Sequence, residues 1–357
     1  MSEPSKFFAC IMAGGSGERF WPMSRAQRPK HLLKLLSERT LLEETVARLG
    51  AVVPAENIFV LTNEVQLAAT RAALAQLVPA EQIVAEPAKR DTAPAAALAT
   101  ALVRARAGED ATLALLPADA FIADHATFRA QLEAAMKDAA ATPSIITFGV
   151  KPTYPSTSFG YLEVGPESGR HLGKFHIRKV TRFVEKPDLA TAERYLADAI
   201  YLWNAGIFVW SVRTFLGEAE RSAPELAAFI REFPAANWSG FLAERFPRLH
   251  KISVDYAIME KARCVETLLA KFDWDDVGLW TALPAHLAQD AAGNATRGAV
   301  VATSATNNIV VSNGRMIALC GVKDLVVVET ADAILVCHRD AVQDIKKITP
   351  QLPKELL

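Results

Sequence analysis

The chain reads as an α/β protein with a Rossmann-like, doubly wound mixed sheet and a small C-terminal β domain. Three observations predict this. Short apolar runs alternate with helix-like stretches over the first two-thirds. A glycine-rich loop follows the first of those runs directly. From about Gly298 the helical spacing gives way to closely spaced short strands, cut by Asn313-Gly314 and Gly321.

In chain order, Phe7 to Met12, Ile58 to Leu61, Ile83 to Ala85, Thr112 to Leu116 and Ile145 to Val150 are too short for buried helices and read as strands covered on both faces. Leu41 to Leu49, Glu64 to Leu77, Ala93 to Arg106 and Thr127 to Ala140 lie between them with helical spacing and good helix formers. Alternation of this kind dictates parallel pairing, because a parallel neighbour is reached through a crossover helix. After about Val150, strands Val180 to Val184 and Ile207 to Trp210 and helices Leu189 to Ala199 and Ala223 to Glu232 are expected to complete the sheet and wall a cleft. The tail supplies strands Val300 to Thr303, Ile309 to Ser312, Met316 to Cys320, Leu325 to Glu329 and Ile334 to Cys337. Their spacing fits a sandwich, a short β-solenoid or a hairpin stack equally. The expected division is residues 1–285 and 286–357, which suits 357 residues at roughly 150 per domain.

Composition narrows the function. Hydrophobic residues make up 51% and charged residues 22%, as in ordinary folded proteins. The 39 Lys and Arg nearly cancel the 40 Asp and Glu, so no global basic field exists to hold nucleic acid or an anionic membrane, and neither partner is expected. Met1 to Phe8 opens no signal-peptide run, and the Ala-rich stretch Thr92 to Val103 is closed by Arg104 and Arg106 before it could span a bilayer, so a cytoplasmic location is expected. Cys10, Cys264, Cys320 and Cys337 form no CxxC pair, and the histidines show no ligand spacing, which argues against zinc and disulfides.

The strongest local signal is Ala13-Gly14-Gly15-Ser16-Gly17-Glu18-Arg19-Phe20-Trp21-Pro22. Glycines let a backbone approach a ligand closely and aim its N–H groups at phosphate oxygens, although the same sequence also makes a plain tight turn. No Gly-Lys-Ser/Thr follows, so it is not a Walker A loop. Arg19, Arg25, Arg28, Lys30 and Lys34 come next, the cations a triphosphate and its departing charge require. Asp119 closes Leu115-Leu116-Pro117-Ala118-Asp119 at a strand's carboxyl end, where ligands of open α/β sheets bind; Asp276 lies much later, inside Trp274-Asp275-Asp276-Val277-Gly278-Leu279-Trp280. Asp273 and Asp275 read as flanking surface charges.

The run Gly14 to Arg25, followed by Arg28-Pro29-Lys30 and Leu33-Lys34-Leu35, resembles the signature of the sugar-phosphate nucleotidyltransferases. Its Trp-Pro-x-Ser-Arg form is similar to the branch that uses GTP and mannose 1-phosphate. The resemblance implies that GMP passes from GTP to mannose 1-phosphate, giving GDP-mannose and pyrophosphate, and that residues are placed as follows. Ala13, Gly14, Gly15, Ser16, Gly17, Glu86, Pro87, Arg90 and Thr92 would bind the nucleotide. Arg19 and Lys30 would hold the departing pyrophosphate, and Asp119 and Asp276 would hold Mg²⁺. Gly160, Glu185, Lys186, Asn204 and Asp255 would bind the sugar phosphate, with Lys186 orienting the attacking group. Two positions depart from the pattern: Asp91 stands for an Asn, and Ala120 for a His after Asp119. Another hexose 1-phosphate, another nucleoside triphosphate, or a non-catalytic nucleotide-sugar sensor remain as alternatives, and self-association into a homodimer is left open.

Overall fold

The computed structural model describes residues 6–166 and 170–357; residues 1–5, within the stretch read for a signal peptide, lie outside it. Ten strands form the main sheet: β1 (Phe7–Met12), β2 (Ile58–Asn63), β3 (Ile83–Glu86), β4 (Thr112–Pro117), β5 (Ile145–Val150), β6 (Gly160–Val164), β7 (His171–Leu172), β8 (Phe175–Glu185), β9 (Tyr201–Ser211) and β10 (Val265–Leu269). Their order is β3-β2-β1-β4-β9-β5-β10-β8-β6, with β7 paired to β8. The first four strands are parallel as their crossovers require, and β9 enters antiparallel between β4 and β5. β6 pairs with both β8 and β9, so this end of the sheet curls back on itself.

Helices α1 (Leu41–Leu49), α2 (Leu67–Leu74), α3 (Thr92–Ala107), α4 (His125–Ala141), α5 (Leu189–Ala197), α6 (Val212–Ser222), α7 (Pro224–Glu232) and α8 (Ser239–Arg245) surround the sheet. The period of two along β1 shows the double winding. Phe8 and Cys10 pack with α3, α6 and α7, while Ala9 and Ile11 pack with α1 and α4 on the other face. Local chemistry starts these helices. Thr40 accepts from the Glu43 amide at 3.1 Å while Glu43 reaches back to the Thr40 amide at 2.7 Å, a complete capping box.

Elements absent from the sequence expectation have physical explanations. β10 is central, yet Val265-Glu266-Thr267-Leu268-Leu269 contains no continuous apolar run. Its buried Glu266 is neutralised by Arg170 at 2.5 Å, and Arg170 also meets Asp138 at 2.8 Å. β6 and the first half of β9 are aromatic and glycine-bearing segments whose partners come only from the tertiary curl.

Of the three arrangements open for the tail, the structure forms the solenoid. β11 (Ala295–Arg297), β13 (Ile309–Val311) and β15 (Leu325–Glu329) stack in parallel on one face, and β12 (Val300–Thr303) stacks in parallel on β14 (Ile317–Cys320) on another. β16 (Ile334–His338) closes the first face antiparallel. Buried Asn294 and Asn308 stack through a 2.8 Å amide bond, and Asn308 accepts from the Leu325 amide at 2.9 Å, so successive coils satisfy each other's corners. The last helix, α9 (Ile345–Ile348), turns back toward the sheet. There one apolar core unites Phe20, Trp21 and Leu33 with Val277 and Trp280 and with Ile309, Val326, Leu335 and Ile345.

Candidate active site

β1 and β4 deliver their carboxyl ends side by side, and the glycine loop leaves from β1. Ala13 spends its groups inside the protein: its amide donates to Leu61 at 2.7 Å and its carbonyl accepts from Thr62 Oγ1 at 3.1 Å. Loop amides without an acceptor among the described residues therefore begin at Gly14. Gly17 has φ 64°, and a Cβ there would overlap Lys30, lying 2.7 Å from its backbone nitrogen. Only glycine fits, and the loop thereby seats Lys30. The Lys30 ammonium, 9% exposed, donates to Asp119 Oδ2 at 2.8 Å and to the Asp276 carbonyl. An antiparallel bridge between Phe121 and Asp275, with bonds of 2.7 and 3.0 Å, ties the loop carrying Asp119 to the loop carrying Asp276.

A cavity of about 470 Å³ opens on this cluster, lined by Ser16 to Phe20, Lys30, Asp119, Asp276, Gly278 and Lys346. Burial pushes the Asp119 carboxyl up, but the Lys30 ammonium outweighs it and holds the group below the ordinary range. Asp276 is pushed up to about 6 by burial, with Asp275 and Asp119 adding like charge against the pull of Lys30. Val277 beside it has φ 46°, a left-handed conformation costly for a β-branched residue, and is packed into the shared core. Among the described residues no group of three or more His, Cys, Asp or Glu side chains could hold a metal. Two carboxylates facing one cavity, one of them under-compensated, nevertheless fit a hard cation that completes its shell with phosphate and water oxygens. Asp273 is exposed, as a flanking surface charge would be, whereas Asp275 is part-buried. Asp275 binds His286 at 2.7 Å and the Val277 amide at 2.7 Å, and Asp273 accepts from the amides of Ala123 and Asp124.

On the other side of the loop, a cavity of about 300 Å³ is lined by Gly14, Gly15, Glu86, Lys89, Asp91, Thr92 and Pro117. Burial pushes the Glu86 carboxyl to about 8, and it has no hydrogen-bond partner among the described residues. Asp91 caps α3 from φ 70°, accepting from the Thr92 amide at 2.8 Å, while Thr92 Oγ1 accepts from the Val254 amide at 2.9 Å. Arg90 turns away to the Pro247 carbonyl, and neither it nor Pro87 lines this cavity.

The remaining predicted residues gather at the curled end of the sheet. A Cβ on Gly160 would lie 2.6 Å from Glu185 Oε2 and 3.7 Å from Asn204 Cβ, so the absence of a side chain brings these groups together. Lys186, at φ 46°, pairs with Glu185. Asn204 is pinned through its carbonyl by Thr147 Oγ1 at 2.8 Å. Asp255 opens a single π-helical turn, Asp255–Met259, and is pushed up to about 7 by burial and then by Glu185. A cavity of about 500 Å³ runs from Arg19 and Asp276 to Phe159, whose carbonyl accepts from the Lys186 amide at 3.2 Å; none of Gly160, Glu185, Lys186, Asn204 and Asp255 lines it. Phe159, Trp203 and Trp274 wall that end edge to face, and the buried indole N–H groups of both tryptophans have no acceptor among the described residues.

Sequence reasoning missed two features. Arg25 binds Asp332 of the tail at 3.0 Å instead of facing the cavity. Lys346, from the far end of the chain, does face it. No local pattern marks either; only the tertiary fold does.

The nucleotidyl transferase family matches residues 8–292, and the MannoseP isomerase/GMP-like beta-helix domain matches residues 298–352. The chain is 39% identical to the xanthan biosynthesis protein XanB of Xanthomonas campestris, covering 96% of this chain and 72% of that one. It is 38% identical to the mannose-1-phosphate guanylyltransferase of Escherichia coli, covering 98% and 74%. The crystal structure of a Thermus thermophilus protein described as a mannose-1-phosphate geranyltransferase superposes with a TM-score of 0.87 at 34% identity, covering 97% and 99%. The chain belongs to the nucleotidyl transferase family and is a nucleotidyltransferase enzyme, as the Gly14 to Arg25 signature implied. Within the family it groups with the mannose-1-phosphate guanylyltransferases of Escherichia coli, Sinorhizobium fredii and Salmonella typhimurium. Nucleotidyltransferases of this family generally use a divalent metal, and no helix among the described residues is long and apolar enough to cross a membrane.

Proposed function

We propose that the chain transfers GMP from GTP to mannose 1-phosphate. A phosphate oxygen of mannose 1-phosphate attacks the α-phosphorus of GTP, the bond from that phosphorus to the bridging oxygen breaks, and pyrophosphate leaves with the electron pair. The observation that carries this reading is the convergence of Arg19, Lys30, Asp119 and Asp276 on one cavity beside the glycine loop. Such a transfer asks a protein mainly for positioning and charge neutralisation. Free amides from Gly14 onward cradle phosphate oxygens, and Glu86 with Thr92 holds the nucleoside. Lys30 and Arg19 neutralise the departing pyrophosphate. Lys186, steered by Glu185, holds the attacking phosphate, while Glu185, Asn204 and Asp255 take sugar hydroxyls. Asp119 and Asp276 would hold Mg²⁺, which supplies further charge neutralisation at the phosphates.

Pyrophosphate release is the test, with GTP, Mg²⁺ and mannose 1-phosphate beside ATP, UTP, dTTP and glucose 1-phosphate. Release confined to the GTP and mannose 1-phosphate pair supports the reading. Another productive pair overturns the specificity, and no release with any pair overturns the activity.

A further inference from the structure

Most cations around the cleft are already committed: Lys30 to Asp119, Arg25 to Asp332, Lys186 to Glu185. Two are not. Arg19 and Lys346 line the 470 Å³ cavity, and neither has a carboxylate within 4 Å nor donates a hydrogen bond among the described residues. They come from opposite ends of the chain. The Lys346 side chain is exposed at the cavity mouth, but its backbone is fixed by what precedes it, because Ile345 is 1% exposed in the core shared with Phe20, Val277 and Trp280, and Val342 is buried in the same core. The next residue makes the contrast: Lys347 is 74% exposed and pairs with Asp344 at 2.7 Å on the outside. A cation held over a cavity already containing a phosphate loop, with no protein anion to satisfy it, is arranged for an anion that arrives.

We propose that Lys346 is a phosphate-binding residue of the nucleotide site, contacting the β- and γ-phosphates of the triphosphate and the pyrophosphate that leaves. The assignment rests on the function proposed above and extends it: the tail contributes a charged group to the site as well as packing. Arg19 on the loop and Lys346 on α9 then flank the leaving group from two sides, while Lys30 remains tied to Asp119.

Steady-state kinetics on the full chain test this with K346Q, K346R and, as the outward-facing control, K347Q. K346Q should raise KM for GTP and the inhibition constant of pyrophosphate about tenfold, the loss of one charge-assisted bond of about 1.4 kcal/mol. KM for mannose 1-phosphate and the melting temperature should not move, K346R should restore most of the loss, and K347Q should match the parent. Unchanged constants for GTP and pyrophosphate in K346Q would overturn the assignment. So would equal rises for both substrates accompanied by a lowered melting temperature, which mark a structural role. If the parent chain releases no pyrophosphate, calorimetric titration with inorganic tripolyphosphate separates the two claims. Affinity that depends on Lys346 keeps the phosphate contact while the proposed reaction falls, and equal affinity in parent and K346Q ends it.

Discussion

The two ends of the cleft are built on opposite plans. The phosphate end is assembled from distant pieces: the loop after β1, Lys30, the turn after β4, Asp276, and α9. Its rigidity comes from the core shared with the β-helix, from Trp21 Nε1 bonded to the Leu356 carbonyl at 3.0 Å, and from Arg297 bonded to the Lys34 and Ser37 carbonyls. The sugar end is built on one curled stretch of sheet, where β6, β8 and β9 close on each other, with Asp255 added from the π-helical turn. Charge follows the same division. At the phosphate end Arg19 and Lys346 have no carboxylate partner among the described residues, whereas at the other end Glu185 and Asp255 both face Lys186, with Glu260 beside Glu185. The lesson is that a trianionic leaving group needs charges brought from several parts of a chain, while a sugar needs only hydrogen-bonding groups on one rigid surface.

If the phosphate end leans on the shared core, Trp280→Ala should lower the unfolding free energy by about 3–5 kcal/mol and raise KM for GTP while KM for mannose 1-phosphate holds. Chemical denaturation and kinetics read both, and equal rises in the two constants would erase the contrast. Lys30→Ala should reduce turnover by about 10²–10³ with circular dichroism unchanged; a loss below tenfold would remove Lys30 from the chemistry. Glu185→Gln should act at the other end alone, raising KM for mannose 1-phosphate by about tenfold. A matching rise for GTP would show that the ends are coupled. A further prediction concerns Glu86 and pH. Its carboxyl sits near 8 in the folded protein against an ordinary 4.5, so the folded state holds a proton that the unfolded state releases. The stability linked to that proton is full below about 4.5 and lost as pH rises through about 8. Melting curves of Glu86→Gln should therefore gain on the parent from pH 5 to pH 9, and a constant gap would mean that Glu86 ionises normally.

How much of this was legible followed from where the information sits. β1, α1 and β5 match their expected limits because each is a self-contained pattern of burial or capping. Asp119 stands out as a carboxylate at a strand end, and Asp276 only through the resemblance of the segment Trp274 to Trp280. β10 was not, because its Glu266 is acceptable in a buried strand only with Arg170 opposite, and that pairing spans 96 positions. Arg25 looked like a phosphate cation because charge type is local information, whereas its partner Asp332 is not. Lys346 is indistinguishable from Lys347 in the sequence; only the packing of Ile345 decides which of the two lines the cavity.

The bond from Trp21 to Leu356 joins positions 335 apart, and the core around Phe20 cannot close without Ile309, Leu335 and Ile345. During synthesis, β1 to β10 can pair as they emerge from the ribosome, since every strand of the main sheet lies before residue 270. The loop after β1, among the first segments made, must wait for nearly the last to settle. A nascent or prematurely stopped chain would thus present a folded sheet with an unfinished phosphate grip, and competence to hold a triphosphate would report that translation had passed residue 345.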